Sequence, residues 1–339
     1  MRPPEFWNIR EGRDGAPLIR TLLRPLGAIY AWAGRRRRVR TESFDPGVPV
    51  ICVGNATLGG TGKTPVAIYL LKSLRRLGIN AHGLSRGYGG RLSGPVPVNP
   101  RHTAEEVGDE PLLLARFAPV WVSTARDEGA RAAVSEGADA IVMDDGHQNP
   151  HLAKTLSFLV VDAEVGFGNG CVFPAGPLRE PLRDALARTD AVILMKPTAN
   201  YEIEDHLAAQ LSGQTVIPAF LAPGGDPPEG RLFAFAGIGR PNKFFDQLRR
   251  MGAELVEEVP FADHHRFTDR EIEGLFTLAS ERGAALITTE KDHVRLPDGY
   301  RRGIHSFPVE VRFEDELTLR QLLHPIVVAA RSLPAVRDA

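Results

Sequence analysis

The sequence predicts an α/β protein with a doubly wound parallel sheet and a second, smaller α/β domain. Three observations support this fold class. A glycine-rich loop at 59–64 follows a short apolar run and precedes a helix-compatible segment. Short runs rich in β-branched residues then alternate with helical stretches, which is typical of parallel sheets. A stretch rich in proline and glycine at 222–230 interrupts the alternation, which resumes beyond it.

The individual elements follow from hydrophobic periodicity. The first strand is predicted at 48–53 and the helix behind the loop at 65–77. Further strands of the large sheet are predicted at 81–84, 120–123, 140–143, 157–161 and 191–195, and strands of the smaller domain at 232–236, 254–259 and 285–289. The predicted organisation is a basic N-terminal helix region (1–40), a large core (41–224) and a smaller C-terminal domain (225–339).

Length and composition are those of a globular protein of a reducing compartment. The 339 residues are 43% hydrophobic and 24% charged, which suffices for two packed domains and excludes a disordered chain. Cys52 and Cys171 lack metal-ligand spacing, which argues against a zinc site or a disulfide framework. No apolar run reaches about 18 residues and no signal peptide is present, so we expect neither export nor a membrane span. No nucleic-acid partner is predicted.

The N-terminal segment combines positive charge with a helical apolar pattern. Residues 1–40 contain ten arginines and three acidic residues, although the net formal charge of the chain is only −1. The apolar side chains at helical spacing are Leu18, Ile19, Leu22, Leu23, Leu26, Ile29, Tyr30 and Ala33, with Arg20, Thr21 and Arg24 on the other side. With Trp32 and the arginine run at 35–38, the pattern predicts a helix lying on an anionic membrane surface. The alternative is a helix docked on the protein's own core.

The glycine-rich loop carries the strongest chemical signal. Its glycines let consecutive backbone N–H groups face an anion, Lys63 can reach the β and γ phosphates, and Thr64 can bind magnesium. A purely structural glycine turn needs neither of these side chains. The predicted fold is therefore of the P-loop NTPase type. The predicted nucleotide-binding residues are Thr57, Gly59, Gly60, Thr61, Gly62, Lys63 and Thr64.

This loop departs from the strict P-loop pattern. Thr57 stands where the first glycine is usual, and Leu58 occupies the position of the signature lysine in the deviant loops of partition and metal-insertion NTPases. A switch NTPase of the metal-insertion type is therefore the alternative function. The chain lacks a cysteine or histidine metal-relay motif and a guanine-reading Asn-Lys-x-Asp element, which counts against that alternative.

A second acidic segment would complete a magnesium site. The apolar run 141–143 ends in Asp144 and Asp145, as expected for a strand whose carboxylate faces the magnesium of a bound nucleotide. Asp144 is the predicted metal ligand beside Thr64. The alternative is an Asp-Asp-Gly turn that ends a strand and binds no metal.

Seven motifs in chain order resemble those of the tetraacyldisaccharide 4'-kinases, which phosphorylate the lipid A precursor at the inner membrane. They are GNATLGGTGKTP at 54–65, SRGYGG at 85–90, GDEP at 108–111, DDGHQN at 144–149, PAGPLRE at 174–180, FADHHRF at 261–267 and TTEKD at 288–292. The resemblance implies a two-domain kinase that uses ATP and Mg²⁺. It implies an acylated glucosamine disaccharide 1-phosphate as acceptor, phosphorylated at its 4'-hydroxyl to the 1,4'-bisphosphorylated lipid IVA. It also implies a peripheral protein on the cytoplasmic face of the inner membrane, attached through the N-terminal helix.

The same resemblance implies that Asp109 is the base for the acceptor hydroxyl and that His264, from the other domain, supports it. A carboxylate is a weak base in water, and a neighbouring imidazole can orient it and take up the proton. Two alternatives stay open: segment 109–111 caps a helix, where acids favour the N-terminus, and His265 competes with His264. A scaffold with a vestigial nucleotide site would not explain the pair.

Four further side chains are candidates for supporting roles. Glu110 is a second candidate metal ligand, and Asp145 is a candidate for holding metal-bound water or a substrate group. Arg126 and Arg179 are candidates for the γ-phosphate or the substrate 1-phosphate, because arginine binds phosphate through two parallel hydrogen bonds. The alternative for both arginines is surface ion pairing.

Overall fold

Two sheets with flanking helices make up the structure, a computed structural model that describes residues 4–333. The strands in chain order are β1 (Val50–Gly54), β2 (Ala81–Ser85), β3 (Val96–Pro97), β4 (Val120–Val122), β5 (Ala140–Asp144), β6 (Leu156–Asp162), β7 (Ala191–Lys196), β8 (Val216–Pro223), β9 (Arg231–Ala236), β10 (Glu254–Pro260), β11 (Ala285–Thr289), β12 (Ile304–Phe307) and β13 (Val309–Phe313). The α-helices are α1 (Pro17–Arg40), α2 (Lys63–Arg76), α3 (Ala104–Val107), α4 (Asp109–Ala115), α5 (Arg126–Ser135), α6 (Leu182–Leu186), α7 (Asp205–Gln210), α8 (Pro241–Arg250), α9 (Asp269–Glu281), α10 (Glu290–His293), α11 (Asp298–Arg301) and α12 (Glu316–Arg331).

The large sheet has nine strands in the order β13-β8-β7-β6-β1-β5-β2-β4-β3. Its neighbours are parallel except at the two edges, where β13 pairs antiparallel with β8 and β3 with β4. Alternate residues of β1 face opposite cores: Ile51 packs in the same core as Leu70 of α2, and Cys52 in the same core as Ala130 of α5. Helices thus cover both faces, and the predicted doubly wound parallel sheet is confirmed.

Parallel pairing decides where the functional loops meet. β5 lies between β1 and β2, and all three strands run in the same direction. The carboxyl ends of parallel strands open at one edge of a sheet, which is where such folds bind ligands. The glycine-rich loop after β1 and the acidic pair at the end of β5 therefore share that edge.

The smaller sheet contains β9 to β12 in the order β10-β9-β11-β12, with every pair parallel. The structure differs from the predicted boundary 225–339, because β13 and α12 return to the large sheet. Leu319 and Leu323 of α12 are buried in the same core as Leu70. Local patterning marks a strand or an amphipathic helix but does not identify the sheet that it joins, and β3, β8, β12 and β13 were not predicted. Residues 334–339 of the predicted domain, and 1–3 of the predicted N-terminal region, lie outside the described range.

The N-terminal helix α1 contacts the body of the protein along one narrow face. Gly27 is its buried residue, and a Cβ there would lie 2.9 Å from the Val172 carbonyl oxygen. Tyr30 packs edge-on against Phe173, with ring centroids 5.6 Å apart. The opposite face exposes large apolar side chains, namely Leu18, Ile19, Leu22, Leu26, Ile29 and Trp32. No helix within residues 4–333 combines the length and the apolar character that a membrane span requires.

The arginine run at the end of α1 divides between the protein and the surrounding solvent. Arg38 binds the buried Glu180 at 3.1 Å, and Arg35 binds Asp184 at 2.8 Å. Arg36 and Arg37 are exposed. The two interpretations of this segment, a helix on a membrane surface and a helix docked on the protein, therefore each describe one face. One face packs on the protein, and the other is apolar and basic and is exposed.

The packing of α12 predicts that a substitution near the end of the chain destabilises the large domain. Leu319→Ala should lower the free energy of unfolding by about 2–5 kcal/mol, because Leu319 is 1% exposed and truncation leaves a cavity. Urea denaturation measures the change. Leu317→Ala, at a leucine of the same helix that is 67% exposed, is the control and should change stability by roughly 0.5 kcal/mol or less. Equal effects of the two substitutions would contradict the placement of α12.

Candidate functional site

The glycine-rich loop lies between the end of β1 and the start of α2. Gly62, with φ of +87°, ends the loop in the left-handed region, and Lys63 and Thr64 form the first turn of the helix. The unpaired N–H groups and positive end of such a helix attract anions. The Thr61 hydroxyl is buried without a hydrogen-bond partner among the described residues. The loop therefore presents unsatisfied donors where a phosphate group would lie.

Thr64 and Asp144 meet because β1 and β5 are neighbours. Val53 lies opposite Asp144 in the parallel ladder, and the Thr64 hydroxyl donates to Asp144 Oδ2 at 3.1 Å. Asp144 is fully buried, and its Oδ1 has no partner within the described part of the chain. Burial and the nearby charge of Glu110 raise the pKa of Asp144 to about 7. Asp144 is thus the carboxylate of this site that lacks a cation.

These residues fit a magnesium ion. Mg²⁺ prefers oxygen ligands, binds through one or two carboxylates and keeps several water or phosphate oxygens. A hydroxyl from Thr64, the orphaned oxygen of Asp144 and the adjacent carboxylate of Glu110 supply that chemistry. Residues 4–333 contain no group of three or more His, Cys, Asp or Glu side chains placed to hold an ion alone. A metal here therefore depends on oxygens from a bound nucleotide and from water.

Asp145 differs from its neighbour in both conformation and partners. Its backbone is in the left-handed region, with φ of +53°, which turns the side chain toward the loop. Lys63 Nζ lies 3.6 Å from Asp145 Oδ1, and Arg179 Nη1 donates to the same oxygen at 2.9 Å. Although burial opposes ionisation, Lys63 and Arg179 lower the pKa of Asp145. Asp145 therefore pairs with both Lys63, the lysine predicted to bind phosphate, and Arg179.

The two candidate arginines, Arg126 and Arg179, are largely buried near the acidic pair Asp144 and Asp145. Arg179 Nε donates to the Thr57 carbonyl at 3.1 Å, so this side chain links the loop to Asp145. Arg126 is 3% exposed at the start of α5, and its Nη1 donates to the Ser123 carbonyl. Its Nε has no partner among the described residues. Burial and the charge of Arg86 lower the pKa of Arg126 to about 10, so it stays a cation at neutral pH.

Asp109 and His264 meet at the junction of the two sheets. Asp109 begins α4 on the large sheet and is 4% exposed, and its Oδ2 lies 3.2 Å from His264 Nδ1. His264 lies in the loop after β10 and has a left-handed backbone conformation, with φ of +57°. Although burial favours the neutral acid, the hydrogen bond from His264 and the charges of Lys291 and Arg295 hold the pKa of Asp109 well below its usual range.

The geometry distinguishes the two histidines and accommodates helix capping. His265 Nε2 lies 3.1 Å from Glu271 Oε1, and its ring packs against Phe261 at 4.7 Å between centroids, away from Asp109. Asp109 Oδ1 accepts the Glu110 N–H at 3.0 Å, so the same carboxylate also satisfies a donor of the first helical turn. His264 is therefore the histidine that the fold brings to Asp109.

Two basic residues of this junction were missed in the sequence. Lys291 Nζ lies 3.7 Å from Asp109 Oδ2 and 4.0 Å from Glu110 Oε1. Arg295 contacts the same Asp109 oxygen and is itself 6% exposed. Lys291 stood within the TTEKD motif but had no assigned role. The available signal for Arg295 was its spacing of three residues from Asp292, at which an acid and a base can pair within one turn. The structure forms that pair at 2.9 Å, although α10 ends at His293.

Known proteins resemble this chain along nearly its whole length. The model of the family described as tetraacyldisaccharide-1-P 4'-kinase (LpxK) matches residues 19–327. The tetraacyldisaccharide 4'-kinase of Caulobacter sp. (strain K31) is 49% identical over 332 residues, covering 96% of this chain and 99% of the relative. That of Phenylobacterium zucineum (strain HLK1) is 50% identical over 327 residues, covering 94% and 97%. The structure of LpxK from Aquifex aeolicus in complex with ATP matches with a TM-score of 0.74 at 28% identity, covering 91% of this chain and 99% of the other.

The burial of Asp144 predicts a pH-dependent gain in stability when its charge is removed. The pKa of Asp144 is raised to about 7 in the folded protein, so the stability associated with its neutral form is lost as pH rises through about 7. Asp144→Asn keeps an acceptor for Thr64 and is never charged. In the absence of ATP and magnesium, its advantage over the wild type should grow by about 1 kcal/mol between pH 6 and pH 8.

Urea denaturation at the two pH values measures this difference. Asp226→Asn, at an exposed aspartate in the connection between β8 and β9, is the control and should show no such growth. A constant difference in stability between Asp144→Asn and the wild type across this range would show that burial does not raise the pKa of Asp144 in the folded protein.

Proposed function

The chain belongs to the tetraacyldisaccharide 4'-kinase family, and from that premise we propose how its own residues carry out the reaction. It is an ATP-dependent kinase that transfers the γ-phosphate to the 4'-hydroxyl of a tetraacyldisaccharide 1-phosphate in lipid A biosynthesis, giving the 1,4'-bisphosphorylated lipid IVA. The observation that carries the proposed mechanism is the placement of Asp109 and His264 together at the edge of the sheet that bears the phosphate loop.

The phosphate side of the reaction is assigned to the large sheet. The N–H groups of the loop and Lys63 bind the β and γ phosphates, which releases Lys63 from Asp145. Magnesium held by Thr64, Asp144 and Glu110 would neutralise charge on the phosphates when bound. Arg126, a buried cation with an unpartnered Nε, is suited to an oxygen of the transferred group. Arg179, which donates to the Thr57 carbonyl, is assigned to the opposite side of the loop.

The acceptor side is assigned to Asp109 and His264. Phosphoryl transfer passes through a loose transition state, in which the bond from phosphorus to the β-phosphate oxygen is largely broken before the new bond forms. The acceptor hydroxyl therefore loses its proton late, and a weak base suffices. Asp109 accepts that proton as the bond from phosphorus to the 4'-oxygen forms, and His264, whose Nδ1 lies 3.2 Å from Asp109 Oδ2, orients and stabilises the carboxylate. The products are ADP and the 4'-phosphorylated lipid.

The exposed face of α1 supports a peripheral position on the membrane that contains the substrate. Leu18 and Leu22 are 85% and 78% exposed. The exposed basic side chains of Arg36 and Arg37 follow Trp32 in the last turns of the same helix. Apolar burial and attraction to anionic lipids act together in such helices. Because the phosphoryl donor is ATP, we place the protein on the cytoplasmic face of the inner membrane.

The mechanism predicts that Asp109→Asn abolishes transfer and spares nucleotide binding. The amide keeps the shape and the hydrogen bond to Glu110 but cannot accept the proton, so kcat should fall by about 10² or more with the KM for ATP little changed. The assay is transfer of radiolabel from ATP to a tetraacyldisaccharide 1-phosphate, with thin-layer separation of the lipid. His264→Ala should lose activity to a smaller extent, and the double variant should be little worse than Asp109→Asn, because the two groups act as a unit.

His265→Ala is the matched control, since His265 packs on Phe261 and does not face Asp109. It should retain most of its kcat. A folded Asp109→Asn protein with near-normal turnover would overturn the assignment of the base, and losses that multiply in the double variant would separate the roles of the two residues. Absence of labelled lipid with the wild type would overturn the proposed reaction itself.

The membrane assignment predicts that α1 is needed for binding to anionic vesicles. Leu22→Glu with Leu26→Glu should abolish co-sedimentation, because both side chains are exposed on the apolar face. Salt at about 0.5 M should weaken wild-type binding, since it screens surface charge. Leu317→Glu, at an exposed leucine of α12, is the control and should bind normally. Unchanged co-sedimentation of the double variant would show that α1 does not form the membrane surface.

A further inference from the structure

Arg295 occupies the junction where the small domain meets the catalytic pair. Its Nε donates to Asp109 Oδ2 at 2.9 Å, and its Nη2 contacts the same oxygen. Its Nη1 donates to the Gly237 carbonyl at 2.8 Å and to Asp292 Oδ1 at 2.9 Å. Nη2 also lies 3.2 Å from His264 Nδ1. One guanidinium therefore joins the large domain, the end of β9, the segment after β11 and the histidine loop.

We propose that Arg295 is a positioning residue for phosphoryl transfer, which locks Asp109 and His264 into reactive geometry across the domain junction. This inference rests on the proposed function. A guanidinium has five N–H donors in a planar fork. Four of them reach carboxylate or carbonyl oxygens and the fifth faces His264. No donor is left for a phosphate, so Arg295 acts through its neighbours and not on the substrate.

The fork determines which oxygen of Asp109 is available. Both contacting nitrogens of Arg295 engage Oδ2, while among residues 4–333 Oδ1 accepts only the Glu110 N–H. A carboxylate oxygen has two lone-pair directions, so Oδ1 retains one for the acceptor hydroxyl. Rotation of the carboxylate would break the two contacts that Arg295 makes with Oδ2. Arg295 thus holds Oδ1 toward the substrate, and a displacement of about 1 Å at such a group can cost roughly 10²-fold in rate.

The ring of His264 is held by the same side chain. Its Nδ1 lies 3.2 Å from Asp109 Oδ2 and 3.2 Å from Arg295 Nη2. It donates to the carboxylate when it carries a proton and accepts from the guanidinium when it does not. The ring therefore has a partner in the same position whether or not Nδ1 carries a proton, and it need not reorient.

Arg295 is itself rigidly supported. Asp292 is fully buried, and Thr289 caps α10 by accepting the Asp292 N–H at 3.1 Å and donating to its Oδ2 at 2.7 Å. The other ion pairs across the junction are far more exposed, among them Arg116 with Glu290, whose side chains are 45% and 16% exposed. Exposed pairs contribute little, whereas a buried charge that loses its partner is costly. The buried contacts of Arg295 therefore contribute more than the exposed ion pairs to fixing how the two units meet.

The test compares Arg295→Met and Arg295→Lys with Arg116→Met, which removes the exposed pair across the same junction. Arg295→Met should lose about 10²-fold in kcat while the KM for ATP stays within about twofold. Arg295→Lys, which keeps the charge without the fork, should recover part of the loss. Arg116→Met should keep its kcat. In the Asp109→Asn background, Arg295→Met should cause almost no further loss, because the residue acts through Asp109.

Chemical rescue distinguishes positioning from general structural support. Added guanidinium at millimolar concentration should restore part of the kcat of Arg295→Ala. It should not restore Arg301→Ala, which loses contacts to the Leu296 and Val294 carbonyls of the same segment and none to the catalytic pair. If Arg295→Met does not fold, Arg295→Lys takes its place: reduced kcat at unchanged KM for ATP supports the proposal, and wild-type kcat overturns it.

The outcomes separate this inference from the proposed function. An inactive Asp109→Asn enzyme together with a fully active Arg295→Met enzyme would overturn only the role of Arg295. Losses that multiply in the double variant, or a loss in Arg295→Ala that guanidinium does not restore, would also overturn it. A wild-type protein that does not phosphorylate the lipid, or an active Asp109→Asn enzyme, would overturn the proposed function.

Discussion

The free-energy cost of burying carboxylates is the constraint on which this site depends. The acids of the candidate site are Asp109, Glu110, Asp144 and Asp145. Buried carboxylates are tolerated when cations or hydrogen bonds compensate them. Asp145 and Asp109 each have basic partners, whereas within the described part of the chain Asp144 has only the hydroxyl of Thr64. This uneven compensation leaves one carboxylate in need of a cation, beside the loop where phosphate oxygens are expected.

The two sheets divide the chemistry between them. The large sheet supplies the phosphate loop and the acids of its carboxyl edge, while His264 and Arg295 come from the smaller unit. Several exposed ion pairs also cross the junction, but pairs of that kind contribute about 0–1 kcal/mol. The contact of Arg295 with Asp109 is buried on both sides. The arrangement of the two units is therefore specified most strongly at Asp109, the residue that we propose as the base.

Helix α1 has two faces in different environments. Gly27 lets its backbone approach the segment around Val172, and Arg38 is neutralised by Glu180, so one face is committed to the protein. The opposite face exposes apolar side chains that no described part of the chain covers. A helix held along one side in this way keeps its apolar side exposed, which suits an enzyme whose substrate is a lipid.

The sequence alone determined the elements whose signals are local: the phosphate loop, the acidic end of β5, the helix α1 and the alternation that defines a parallel sheet. Motif resemblance added Asp109 and His264, but spacing could not separate His264 from His265. Only the tertiary structure showed which histidine contacts Asp109, that β13 and α12 return to the large sheet, and which residues Arg295 contacts. Each depends on contacts between residues far apart in the chain, and neither periodicity nor motif encodes which distant surface a strand, helix or charge will meet.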